Sequence, residues 1–157
     1  MTITVRRASE ADAPEMSRVL IASITELCSA DHHDDPTAIA AWTANKSVEG
    51  VLAMLAAPGS GLYVAERNGD VLAVGAIQGD TVGLNYVDPQ HRRTGVSRAL
   101  MAGLEDVLRD RGVAVARLKS TETAHDFYKA LGWSDAGPAV RGRFVAAYPM
   151  RKALISR

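Results

Sequence analysis

The run VDPQHRRTGVSRALMAGLEDVLRDRG, Val87 to Gly112, decides how the chain is read. Asp88-Pro89 closes whatever precedes it, and from Val96 onward Leu100, Leu104, Val107 and Leu108 recur at helical spacing. Arg109 and Arg111 suit the negative end of a helix, and Gly112 suits the position just past it. The spacing therefore predicts an amphipathic helix that begins at a glycine among arginines. A helix start offers unpaired N–H groups and partial positive charge. Arg92, Arg93 and Arg98, the hydroxyls of Thr94 and Ser97, and a Gly95 with no Cβ to hold an anion away make this start a cradle for phosphate or pyrophosphate. An ordinary solvated helix start can have the same local composition, and composition alone does not separate the two.

Before this helix, Leu62 to Glu66 and Val71 to Ile77 read as strands joined at Asn68-Gly69, a hairpin signal. A turn at Gln78-Gly79-Asp80 leads to a third strand, Thr81 to Val87, with Val82, Leu84 and Tyr86 on one face and Asn85 on the other. The expectation is a three-stranded antiparallel meander. After the helix, Val113 to Leu118 reads as a strand, Glu122 to Leu131 as a helix stopped by Gly132, and Arg143 to Met150 as a closing strand. Toward the N-terminus, Met1 to Arg6 reads as a first strand. A helix capped by Asp12, with Pro14 in its first turn and Glu15 reaching back, follows and ends near Cys28. Pro36 to Thr43 and Ser47 to Ala57 read as further helices, and the polar Ser29 to Asp35 as a loop or elbow. This order predicts one domain over residues 1–157, of α/β (α+β) class. Its core is a twisted, mostly antiparallel mixed sheet flanked by helices, with one parallel pair from the strand-helix-strand unit around the arginines.

The arginine stretch resembles the acetyl-CoA-binding segment of the GNAT N-acetyltransferase superfamily, whose Arg/Gln-x-x-Gly-x-Gly/Ala lies at a helix start. Here it reads Arg92-Arg93-Thr94-Gly95-Val96-Ser97, with serine at the last position. Downstream, Thr123 to Trp133 resembles that family's Ala-x-x-Phe-Tyr-x-x-x-Gly-Phe signature. Two linked motifs are far more specific than one. The resemblance implies a GNAT-like fold, with acetyl-CoA as co-substrate bound by Arg92 to Arg98 and by backbone groups of the strand holding Tyr86 and Val87. It implies Tyr128 as the acid that protonates the departing thiolate. It also implies a cofactor contact near Thr121, where many relatives have asparagine. Many relatives carry a carboxylate on the third strand of the meander, and Gly83-Leu84-Asn85-Tyr86 has none. That directs attention to a water held by Asn85, or to His32 or His33, as acceptor of the amine proton.

The segment Ser29 to Asp35 carries two adjacent histidines among aspartates. It reads equally as an acceptor-site wall and as an exposed polar loop, and less well as a metal site, since stable sites draw ligands from several segments. No metal is expected. Cys28, the single cysteine, reads as a buried thiol and excludes an internal disulfide. Trp42 and Trp133 read as packing residues. Arg141 and Arg143 read as solvated turn charges, with binding of an anionic acceptor as the alternative.

Composition bounds the rest. Hydrophobic residues at 47% and charged residues at 23% fit a globular domain, and 18 basic against 18 acidic residues provide no global field for nucleic acid or anionic membrane. No apolar run is long enough for a membrane span, and the N-terminus has no signal-peptide centre, so a cytoplasmic location is expected. The predicted activity is acetyl transfer from acetyl-CoA to a primary amine of a small molecule or peptide. The rivals are an acyl-CoA-binding module or sensor without chemistry, and a toxin-type acetyltransferase acting on aminoacyl-tRNA, which the neutral charge disfavours. The resemblance also allows a homodimer.

Overall fold

The computed structural model describes residues 2–155. Strand β1 (Thr4–Arg7) leads through a 3-10 turn (Glu10–Asp12) into α1 (Ala13–Leu27), then α2 (Ser29–His32), α3 (Pro36–Thr43) and α4 (Val48–Ala56). The meander follows as β2 (Ser60–Arg67), β3 (Asp70–Gln78) and β4 (Thr81–Val87). Then come α5 (Val96–Asp110), β5 (Val115–Ser120), α6 (His125–Ala130), β6 (Ser134–Asp135), β7 (Val140–Arg141) and β8 (Ala146–Ala153). The sheet order is β1-β2-β3-β4-β5-β8-β6, with β7 also on β8. Among the described residues only β4 and β5 are parallel. The predicted mixed α/β sheet with one parallel pair is therefore present.

The sheet buries both faces. On one, Leu100, Met101, Leu104 and Leu108 of α5 pack with Leu72, Ile77, Leu118, Trp133 and Met150. On the other, Met16, Val19 and Leu20 of α1 pack with Val51, Leu62, Val64 and Val74. A smaller cluster of Ile24, Cys28 and Trp42 extends that second layer toward Tyr86 and Phe144. Gly75 lets α5 lie close to the sheet, since a Cβ there would sit 2.9 Å from Leu104 Cδ1.

Several boundaries differ from the sequence expectation, each for a local reason. The first strand was expected from Met1, which lies outside the described residues, and it runs instead over Thr4–Arg7, where each residue pairs with β2. Asp12 does not cap α1. It faces back, accepting from the Ser9 N–H at 2.8 Å and from the two terminal nitrogens, Nη1 and Nη2, of Arg6 at 2.9 Å, while Glu15 pairs with Arg18. Helix α6 starts three residues late because the N–H groups of Glu122 and Thr123 go to the Asp31 carboxylate and that of Ala124 to Thr121 Oγ1. The closing strand is displaced to Ala146–Ala153, leaving Gly142, Arg143 and Phe144 in a loop. The two-residue strands β6 and β7 carry no periodic signal and exist through pairing with β8.

The Arg6 ion pair holds the Asp12 carboxyl down at about 2, with the Ser9 N–H assisting against a smaller opposing effect of burial. A carboxyl lowered in the folded state adds stability above its unfolded value, near 4, and loses that contribution as pH falls toward 2. Asp12→Ala should therefore cost about 1 kcal/mol at neutral pH, in the range of a lost ion pair and a lost hydrogen bond from the Ser9 N–H. In urea melts at a series of pH values, the gap from wild type should close between pH 4 and 2. A gap that persists at pH 2 would assign the loss to packing instead.

Candidate active site

Strands β4 and β5 pair only at Thr81↔Arg117 and Val82↔Leu118. Beyond Val82 they part, and β4 continues to Val87 with no strand partner on that edge among the described residues. The cause of a second feature lies one residue further along. Ala76 faces Leu84 and Ile77 faces Val82, so Gly83 is an extra residue bulged from β4. The bulge breaks the alternation expected from Thr81 to Val87. Val82 turns to the α5 face, whereas Leu84 and Tyr86 turn to the α1 face. Asn85 is thereby set on the same side as α6.

In the gap Asn85 Nδ2 donates to the Tyr128 hydroxyl at 3.2 Å, joining residues far apart in the chain. Thr121 and Ala124 also line this gap. Tyr128 is buried against the rings of Phe127 and Trp133, at centroid distances of 5.3 and 6.2 Å. Burial pushes its phenol up to about 12, while the Asn85 amide works in the other direction. Asn85 Oδ1 is buried and has no partner among the described residues. A buried amide oxygen left unpaired is costly, so the gap is arranged to receive a donor.

Past β4, Asp88 anchors the turn. It is buried, accepts from the Gln90 N–H at 3.0 Å and pairs with Arg18 of α1 at 3.0 Å. The chain then enters α5 through Arg93 and Gly95, both left-handed at φ 60° and 86°. Among the described residues no side chain caps the start of α5. Arg92, Arg93, Thr94, Gly95 and Arg98 are exposed, and Thr94 Oγ1 donates to the His91 carbonyl. Val96 turns its side chain into the core and offers only its backbone outward, next to a half-buried Ser97. The predicted anion cradle is thus an uncapped helix start ringed by cations, one short turn beyond the gap.

The histidine segment behaves differently from expectation. His32 is 2% exposed, donates from Nε2 to the Ile24 carbonyl at 2.7 Å and accepts at Nδ1 from the Asp34 N–H at 3.0 Å. Both ring nitrogens are occupied in holding the elbow after α1, so His32 has no free nitrogen for an amine proton. His33 is exposed in a left-handed turn. Asp31 spans to the start of α6, so its oxygens hold Glu122 and Thr123 rather than a cationic amine. Cys28 is buried, and desolvation followed by the Asp31 charge pushes its thiol up to about 12, which leaves it inert. Tyr86, half-buried, has its phenol raised by burial and then by the neighbouring Cys28 and Tyr128, while Trp42 works in the other direction.

One residue had no signal in the sequence. Lys46, in the polar Asn-Lys-Ser between α3 and α4, is 3% exposed and faces a cavity also bordered by Trp42, Leu84, Tyr86, Arg143 and Phe144. Among the described residues no group of three or more His, Cys, Asp or Glu is arranged to hold a metal ion, and no helix is long and apolar enough to cross a membrane.

The family model for the acetyltransferase (GNAT) domain matches residues 16–154. Among solved structures, the chain is similar to a GCN5-related N-acetyltransferase from Rhodopseudomonas palustris, with a TM-score of 0.86 and 23% identity over 98% of this chain and 97% of that one. It is also similar to the PaiA N-acetyltransferase of Thermoplasma acidophilum in complex with coenzyme A, with a TM-score of 0.80 and 16% identity over 98% and 99% of the two chains. A third, YncA from Salmonella typhimurium with its cofactor acetyl-CoA, gives a TM-score of 0.64 and 20% identity over 100% and 96%. No curated protein sequence matches.

Proposed function

The chain belongs to the GNAT acetyltransferase family, and we propose that it transfers the acetyl group of acetyl-CoA directly to a primary amine of a small molecule or peptide. The observation that carries this reading is the Asn85–Tyr128 pair set in the gap between β4 and β5, one turn from the uncapped start of α5. The first-turn N–H groups of α5, with Arg92, Arg93 and Arg98, hold the pyrophosphate, and Ser97 adds a hydroxyl. The free edge of β4 from Gly83 to Val87 hydrogen-bonds the pantetheine arm and the thioester oxygen, as a strand would.

The amine lone pair forms the new C–N bond, and the C–S bond breaks with its electron pair leaving on sulfur. The amine proton goes to a water held on Asn85 Oδ1. Tyr128 supplies the proton to sulfur. Because Asn85 Nδ2 donates to the phenol oxygen, the phenol hydrogen is free to point into the gap toward the thiolate. A phenol near 12 is a reluctant acid for a thiolate near 8.5. It therefore acts first as a hydrogen-bond donor to the developing charge, and Asn85 lowers the cost of completing the transfer. Reprotonation from solvent then resets Tyr128.

The test is a thermal melt with and without acetyl-CoA, paired with a free-thiol assay on amines. Cofactor at about 100 times its Kd should stabilise by about 2.7 kcal/mol and raise Tm by about 5–10 °C. Thiol release that depends on an amine completes the reading. A shift without release on any amine would leave an acyl-CoA-binding module, and no shift would remove the reading altogether.

A further inference from the structure

The cavity beside β4 that holds Lys46 measures about 330 Å³, within the range of small-molecule sites. A neighbouring cavity of about 340 Å³ shares Lys46, Leu84, Arg143 and Phe144 with it. Among the described residues four cations border the first cavity, namely Lys46, Lys119, Arg141 and Arg143, and no carboxylate does. Among the described residues none of the four forms a salt bridge.

Lys46 is the unusual member. Lysine is almost never fully buried unless paired with an opposite charge. Here Nζ reaches Asn45 Oδ1 at 2.6 Å and the Trp42 carbonyl at 3.5 Å, both uncharged. The Ser17 hydroxyl fixes the backbone by donating to the Lys46 carbonyl at 2.7 Å, so the side chain is anchored from below. Above it, Lys46 Nζ and the Arg143 guanidinium lie 5.3 and 5.2 Å from the centre of the same Phe144 ring. Two cations on one ring with no anion between them repel each other. Burial, and then the Arg143 charge, brings the Lys46 ammonium down to about 8. An anion placed between them would relieve both costs. Gly83 and Leu84 of β4 border the same cavity, so it opens onto the strand on which acetyl transfer is placed.

We propose that the acceptor amine carries an anionic group, carboxylate or phosphoryl, which seats between Lys46 and Arg143. This rests on the acetyl-transfer reading and narrows its substrate class to small zwitterionic amines. Wholly cationic acceptors such as polyamines are disfavoured by like charge. Trp42, Tyr86 and Phe144 supply walls for an apolar body next to the anion.

The test is calorimetric binding to the protein saturated with coenzyme A, in two arms. One compares the twenty amino acids with their amides, and the other compares phosphoethanolamine with ethanolamine. At least one anionic amine should bind about 10-fold or more tightly than its uncharged counterpart, and the arm in which this occurs identifies carboxylate or phosphoryl. Lys46→Met and Arg143→Gln should each erase about that preference while leaving the acetyl-CoA melting shift unchanged. Arg143 is exposed, so its variant carries the test if Lys46→Met does not fold. Equal binding of charged and uncharged members, binding of neither, or a preference untouched by the variants would overturn the inference. Loss of the acetyl-CoA shift in the wild type would instead overturn the acetyl-transfer reading beneath it.

Discussion

Tyr128→Phe should lower kcat by about 100-fold or more, within the range that a positioned general acid contributes, while the acetyl-CoA melting shift stays within a degree or so of wild type. The buried ring packs on Phe127 and Trp133, and phenylalanine keeps that packing. What it loses is the phenol proton and the acceptor for Asn85 Nδ2. The amide then has two unpaired ends, because Oδ1 is already without a partner among the described residues. A stability cost of about 1 kcal/mol follows from that lost hydrogen bond and is separable from the rate by a melt. Asn85→Leu is the companion. It keeps the phenol but removes the group that opposes burial, so the phenol should rise further and kcat should fall while KM for acetyl-CoA moves less. With a thiol leaving group the acid matters, and with an acyl donor whose leaving group needs no proton the Tyr128→Phe defect should shrink. A variant with full turnover on the natural thioester would remove Tyr128 as the acid.

The sequence was most informative where two independent signals coincided. The meander of β2 to β4 combined alternation with Asn68-Gly69 and Gly79 at its turns, and these residues do adopt the left-handed conformations that tight turns require. Helix α5 combined spacing with a glycine at each end. The bulge at Gly83 was not legible, because a glycine in a strand is as compatible with continued alternation as with an extra residue. That one residue decides the face of Val82 against that of Leu84 and Tyr86, and so decides that Asn85 meets Tyr128. His32 misled for a related reason. Adjacent histidines look chemical, yet the helix elbow needed both ring nitrogens of the first to satisfy buried backbone. Lys46 left no mark at all, since lysine in a polar linker between helices reads as solvated. Its burial is created by Trp42 and by Phe144, about a hundred residues away along the chain. What local pattern sets was readable, and what distant segments enclose was not.

Gly95→Asp should weaken acetyl-CoA binding by about 100-fold, the size expected when a helix-terminal anion site worth up to about 2 kcal/mol turns repulsive and loses its close approach. Gly95 has φ 86° at the N-terminus of α5, and a Cβ built there meets nothing within 4 Å among the described residues. The protein itself therefore gives no steric reason for glycine, and two causes remain: the left-handed backbone, and a ligand that needs the space. Asparagine separates them from charge. Asn and Asp tolerate the left-handed region similarly and are nearly equal in size. Both variants should lose a similar amount of stability without ligand. Gly95→Asn should then lose cofactor affinity through bulk alone, whereas Gly95→Asp should lose about tenfold more through repulsion of the pyrophosphate. Raising the salt should narrow the difference between them, because Arg92, Arg93 and Arg98 are exposed and screened as well. Equal affinity of the two variants at low salt would mean that no phosphate lies at the start of α5. The exposed arginines would then be a solvated helix start, and the gap between β4 and β5 would have to hold the acyl donor by its pantetheine arm alone.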